Sequence, residues 1–108
     1  MTNQSTIPND AAIIYASLDQ LYLHDLNPRQ NVAQQDVETL ADSIRTCGLL
    51  QNLGGIRDDD GKIGIVSGGR RFRALAFLAE TYPDFAGASS IPVLLARDLE
   101  QAEYWANA

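Results

Sequence analysis

"IVSGGRRFRALAF", residues Ile65 to Phe77, joins two periodicities across a pair of glycines. The run ahead of Ser67 has the β-branched content of a strand. Beyond Gly69, Phe72, Leu75, Ala76 and Ala79 recur at helical spacing, which predicts a helix to about Glu80. Gly68 and Gly69 therefore mark a strand-to-helix turn. Arg70, Arg71 and Arg73 open that helix, three of only eight basic residues in the chain. Positive charge in a first helical turn opposes the macrodipole, at roughly 0.3–1 kcal/mol per exposed charge.

Two arrangements relieve the conflict: acidic side chains from elsewhere in the fold, or a bound anion. Side-chain-free glycines let a ligand approach the backbone, and the N–H groups of such a turn suit phosphate oxygens. Arg70 and Arg73 share one helix face, whereas Arg71 points about 100° away. Guanidinium adds a planar fork of donors that grips phosphate bidentately. From the residues alone, anion binding stands level with a solvated turn paired to some of the fourteen carboxylates.

Working outward, "AIIYAS" (Ala12 to Ser17) reads as a first strand. "LDQLYLHDLNPRQN" reads as an irregular or one-turn stretch entering an Asn27-Pro28 turn. From Asp36, Val37, Leu40, Ala41 and Ile44 follow helical spacing, and Gly48 supplies a stop. Strands are predicted at Leu53 to Arg57 and Ile63 to Ser67, joined through "DDDGK" as an antiparallel hairpin. "YPDFAGASS" reads as a loop, "IPVLLA" as a further strand, and Leu99 to Asn107 as a last helix. The order β, α, β, β, α, β, α mixes hairpins and crossovers, which predicts an α+β domain with a small mixed sheet.

The 108 residues suit one core, with residues 11–108 as the folded domain and Met1 to Asp10 as a polar tail. A hydrophobic share of 45% and a charged share of 20% are ordinary for a globular chain. No apolar run approaches the roughly 18 residues that cross a bilayer, and the start lacks signal-peptide character. A cytoplasmic protein with no membrane partner is the expectation. A net charge of −6 excludes a broad basic face, so strong DNA binding by this chain alone is not expected. Clustered basic residues suit a small anion instead.

The ordered motifs resemble the N-terminal domain of the ParB family of partition proteins, which shares its fold with sulfiredoxin. "ASLDQL" stands before "NPRQ" at Asn27 to Gln30, as "PLDQL" precedes an Asn-Pro-Arg box in that family. "GLLQNLGGI" (Gly48 to Ile56) matches "GLxQPLVV", "GGRRFRA" (Gly68 to Ala74) matches "GERRxRA", and "IPVLLARD" matches "IPVLV". The resemblance runs from about Ile14 to Asn107. It implies a pocket for CTP or another nucleoside triphosphate, with or without Mg2+. In it, Gly68, Gly69, Arg70, Arg71, Arg73 and Ala74 form the phosphate turn. Arg29 approaches from the other side, and Gly48 and Gln51 lie near base and sugar. Asn107 falls where the family's next phosphate motif begins.

This chain departs from the pattern at Gly69, where the family usually has a glutamate linked to metal handling and hydrolysis, so binding is implied more directly than turnover. Asn52 replaces a proline, and Gly54-Gly55 replaces a β-branched pair, which weakens the strand. Sulfiredoxin chemistry is not expected, because that family's cysteine would stand at Gly69. The one cysteine, Cys47, reads as a buried packing residue.

No catalytic or metal set is assigned. His24, the lone histidine, reads as an ordinary loop residue, and Asp58 to Asp60 as a hydrated hairpin tip. Tyr104 and Trp105 are expected to pack on the core or a neighbour. The family's helix-turn-helix and dimerisation regions are not in this chain, so DNA contact is expected only through regions absent from it, while homodimerisation and a nucleoid- or plasmid-associated location remain expectations for this protein. The chain reads either as an excised domain or as a stand-alone relative. Two alternatives stay open: a ParB-like nuclease or weak nucleotide hydrolase, and a nucleotide-independent interaction module.

Overall fold

The computed structural model describes residues 12–27, 33–48 and 51–107. Strand β1 (Ala12–Ala16) leads through a 3-10 turn (Leu18–Gln20) into strand β2 (Leu21–Leu23). Helix α1 (Gln34–Cys47), strands β3 (Leu53–Arg57) and β4 (Ile63–Ser67), and helix α2 (Gly69–Thr81) follow. A second 3-10 turn (Ala86–Ser89), strand β5 (Ile91–Leu95) and helix α3 (Leu99–Ala106) complete the order. The five strands form one mixed sheet, β1-β5-β3-β4-β2, with β1/β5 and β3/β4 antiparallel and β3/β5 and β2/β4 parallel. This is the expected α+β architecture.

Strand β2 corrects the sequence reading, which left "LYL" irregular. Three residues are too short to display alternation. They become a strand because Leu21 to Leu23 pair in parallel register with Ile63 to Ile65 of β4. Gln20 helps deliver them, its side-chain oxygen accepting the Ser17 N–H at 3.0 Å.

Helix α1 starts two residues ahead of the predicted Asp36, after Ala33 at the N-cap. It stops where Gly48 takes φ 86° and its N–H closes onto the Ile44 carbonyl at 2.7 Å. Val37, Ala41 and Ile44 are its buried stripe. They meet Ala74, Leu75 and Leu78 of α2 over Leu53, Ile63, Ile65, Ile91 and Val93 of the sheet. Each such large apolar side chain contributes about 1.5–3 kcal/mol on full burial.

The opposite face carries α3, whose Ala102, Trp105 and Ala106 pack with Val66, Ile56 and Leu26. Asp98 caps α3, its Oδ1 accepting the Gln101 N–H at 2.9 Å. With helices on both faces, β4 is buried from Ile63 to Val66, the near-continuous apolar run of a central strand. The paired glycines of β3 have a packing reason. A Cβ on Gly54 would lie 3.3 Å from the Trp105 ring, and one on Gly55 would lie 2.7 Å from Ile63. Cys47, expected to be buried, is exposed at the end of α1, one position outside the stripe set by Ala41 and Ile44.

The hairpin forms as predicted around Gly61 at φ 85°. Asp58 shapes it: its Oδ1 accepts the N–H groups of Asp60 and Lys62, each at 2.9 Å, while its Oδ2 accepts the Tyr22 hydroxyl at 3.0 Å. Partial loss of hydration pulls the Asp58 carboxyl upward. The bonds from Tyr22, Lys62 and Asp60 and the Lys62 charge outweigh it and hold Asp58 below its ordinary value. Burial, then the bond to Asp58 and the nearby carboxylates, raises Tyr22 above the usual phenol range.

Candidate functional site at the arginine turn

Strand β4 ends at Ser67, and Gly68 turns the chain into α2 with φ 86° and ψ 29°. That left-handed conformation is open to glycine at little cost. Space demands glycine as well, since a Cβ there would lie 2.8 Å from Leu53 Cδ2. Gly68, at the N-cap of α2, offers no side-chain cap, and the first turn contains no acidic residue. The leading N–H groups of a helix have no intrahelical partner and suit an acceptor from outside it.

The three arginines diverge. Arg70 is exposed, whereas Arg71 and Arg73 are half-buried. Among the described residues, neither Arg70 nor Arg71 has a carboxylate within ion-pair distance. Arg73 lines a cavity of about 420 Å³ with Leu23, Gln34, Phe72, Phe77 and Glu80. Arg71 stands one turn before Leu75 on the same face of α2. Leu75 borders a different cavity of about 320 Å³ with Gly48, Arg45, Phe85, Ser90 and Pro92. Open space thus borders α2 on two sides just beyond the turn, with Arg73 lining the larger of these two cavities.

The remaining predicted residues are placed as follows. Gly48 is the α1 stop and forms part of the smaller cavity's wall. Gln51 is exposed just ahead of β3. Ala74 is fully buried in the core, so its part in the turn is to be small. Arg29 lies outside the described residues. Asn107 is spent on capping α3, its Nδ2 donating to the Glu103 carbonyl at 2.9 Å. Arg45 is stacked on Tyr82, its guanidinium carbon 4.2 Å from the ring centroid. Among the described residues, no three His, Cys, Asp or Glu side chains are grouped to hold a metal ion.

Sequence reasoning missed the contact beneath the turn. Asn27, at the head of the Asn-Pro-Arg box, is 3% exposed, and its Nδ2 donates to the Ile65 carbonyl at 3.2 Å. Its amide abuts Gly69 so closely that a Cβ there would lie 2.7 Å from Nδ2 and 2.9 Å from Oδ1. The sequence signals a turn at Asn27-Pro28, but burial of the side chain depends on pairing of β2, which was not read.

Residues 2–104 match the model of the ParB N-terminal domain. The chain belongs to the ParB N-terminal domain family. A nucleoid occlusion protein of Halalkalibacterium halodurans is 35% identical over 79 residues, covering 68% of this chain and 28% of the relative. A C-terminally truncated ParB of Caulobacter crescentus, solved with CTP-gamma-S, superposes with a TM-score of 0.67 at 28% identity. That likeness covers 86% of this chain and 49% of the ParB. Arabidopsis thaliana sulfiredoxin shares the fold at a TM-score of 0.60 and 25% identity, over 84% of this chain and 96% of that one. This ParB-type domain spans about half of the solved partition protein and less of the curated relative.

Proposed function

We propose that residues 11–108 form a nucleotide-binding unit, with CTP or a related nucleoside triphosphate held at the turn from Gly68 to Ala74. The carrying observation is the pair Arg70 and Arg71 on an uncapped glycine turn whose first helical turn has no acidic residue. The Caulobacter protein bound to CTP-gamma-S supports a nucleotide as the anion. Arg29 is assigned to the same phosphates from the Asn-Pro-Arg box, and Gly48 and Gln51 to base and sugar. Mg2+ accompanies the phosphates in this reading, as divalent cations usually do.

The proposed role is a switch within a larger partition or nucleoid-associated protein. Bound phosphates neutralise Arg70, Arg71 and Arg73 and tie the Asn-Pro-Arg segment to α2. Trp105 of α3 packs over Gly54, whose β3 neighbour Leu53 touches Gly68. Tension at the turn is thereby transmitted to α3, and through it to association with a second copy or to DNA-reading regions.

Thermal shift and calorimetry with CTP, UTP, ATP and GTP test the reading. Ligand at a hundred times its Kd stabilises the fold by about 2.7 kcal/mol. Arg70→Ala/Arg71→Ala is expected to remove that gain while the protein stays folded. A folded wild-type chain that responds to no nucleotide overturns it.

A further inference from the structure

We infer that His24 is a positioning residue for the arginine turn, acting through a hydrogen bond that exists only while its imidazole is neutral. Its Nδ1 accepts the Leu26 N–H at 3.1 Å. A nitrogen that accepts cannot carry a proton, so the imidazole is the Nε2–H tautomer, and protonation at Nδ1 converts this acceptor into a competing donor.

The bond pins a short, fully connected turn. His24 N–H donates to the Ile65 carbonyl at 3.0 Å, and the His24 carbonyl accepts the Asn27 N–H at 2.9 Å. Asn27 Nδ2 donates to that same Ile65 carbonyl at 3.2 Å. Ile65 is thus bridged by both ends of the turn, and the Asn27 amide is carried against Gly69. The imidazole is seated from two sides. It stacks with Tyr22 at a centroid distance of 6.4 Å and 24° between planes. On β4 below it, Gly64 has no room for a Cβ, which would fall 2.7 Å from His24 Cδ2. Displacing Leu26 also touches the second core, since Leu26 packs with Val66 and the α3 residues.

Asp25 follows His24 on its own turn, Tyr22 of β2 stacks on its ring, and Asp58, Asp25 and Asp60 act in turn on Tyr22. β4 presents the side-chain-free Gly64 at this point. Protonating His24 exchanges the pin for a cation beside these acidic groups. The turn under Gly69 then loses one anchor, and the arginine turn loses its fixed floor.

The inference rests on the nucleotide reading for one of its two readouts, so the test separates them. Backbone amide resonances of Leu26, Asn27, Gly69 and Arg70 are followed from pH 8 to pH 5 without nucleotide, in wild type and His24→Asn. Asparagine keeps a neutral acceptor near the Nδ1 position. Expected is a common titration of all four amides in wild type that is absent in His24→Asn. Amides of Gly69 and Arg70 that ignore the His24 titration overturn the coupling, whatever the chain binds.

CTP affinity by calorimetry is the second readout. Removing one hydrogen bond at a site corresponds to about a two- to tenfold change. Wild type is expected to lose that much more affinity than His24→Asn between pH 7.5 and 5.5, and His24→Ala to bind weakly at both. Identical affinities and pH profiles for all three chains overturn the positioning role. A wild type that binds no CTP condemns the nucleotide reading instead and leaves the amide titration to decide on His24.

Discussion

Asn27 and Gly69 meet under the arginine turn, and the closeness of that contact makes Gly69 intolerant of any side chain. Gly69→Ala places a methyl 2.7 Å from a buried amide already anchored to Ile65. Overpacking of this kind costs about 1–3 kcal/mol. Chemical denaturation is expected to show that loss for Gly69→Ala. The double variant Asn27→Gly/Gly69→Ala should lose less than the sum of the two single changes, because the clash has then gone. Additive losses would mean that the two residues do not touch. The sequence shows a glycine where the family usually has glutamate, but not what occupies the vacated space. That depended on β2, whose three residues carry no pattern of their own.

At the scale of elements, α3 is held at its start by Asp98 and along its length by Trp105. Asp98→Ala is expected to lower stability by about 1 kcal/mol, the usual worth of an N-cap. Trp105→Ala should cost about 1–3 kcal/mol, less than a fully buried tryptophan because the ring is half-buried. Gly54→Val should approach the Trp105 loss, since its side chain displaces the same ring; thermal melts of the three variants check the ranking. Helices α1 and α2 were legible because each presents a full apolar stripe over three turns. The glycines of β3 read as a weakness, since the demand they satisfy comes from a tryptophan about fifty residues later. Cys47 was misread because residue type alone suggests burial, whereas its position on α1 turns it outward.

For the molecule as a whole, the bond from Tyr22 to Asp58 ties edge strand β2 to the hairpin and makes stability depend on pH at both ends. Asp58 is held low in the fold, so its contribution is complete above the ordinary carboxylate pKa near 4. It is lost as pH falls through the folded value. Tyr22 is raised, so its contribution is complete below about pH 10. It is lost as pH rises through the folded value. Melting temperature is therefore expected to hold a plateau between these limits. Tyr22→Phe should lower the plateau, remove the alkaline fall due to this bond and shrink the acid one. An unchanged profile would show that the bond contributes nothing in solution. The α+β class, the hairpin and the arginine turn could all be read from local pattern and motif order. The packing of the Asn27 amide beneath that turn could not, because it depends on a strand pairing distant in sequence.

The placement of β1 carries a consequence for synthesis. Ala12 lies opposite Leu95, so among the described residues β1 is synthesised about eighty residues ahead of the one strand it pairs with. Closing so long a loop is slow, and the waiting strand is "AIIYA", without a single charge to discourage self-association. Nascent chains stalled before Ile91 should therefore be the ones that engage holdase chaperones, with release once β5 has emerged.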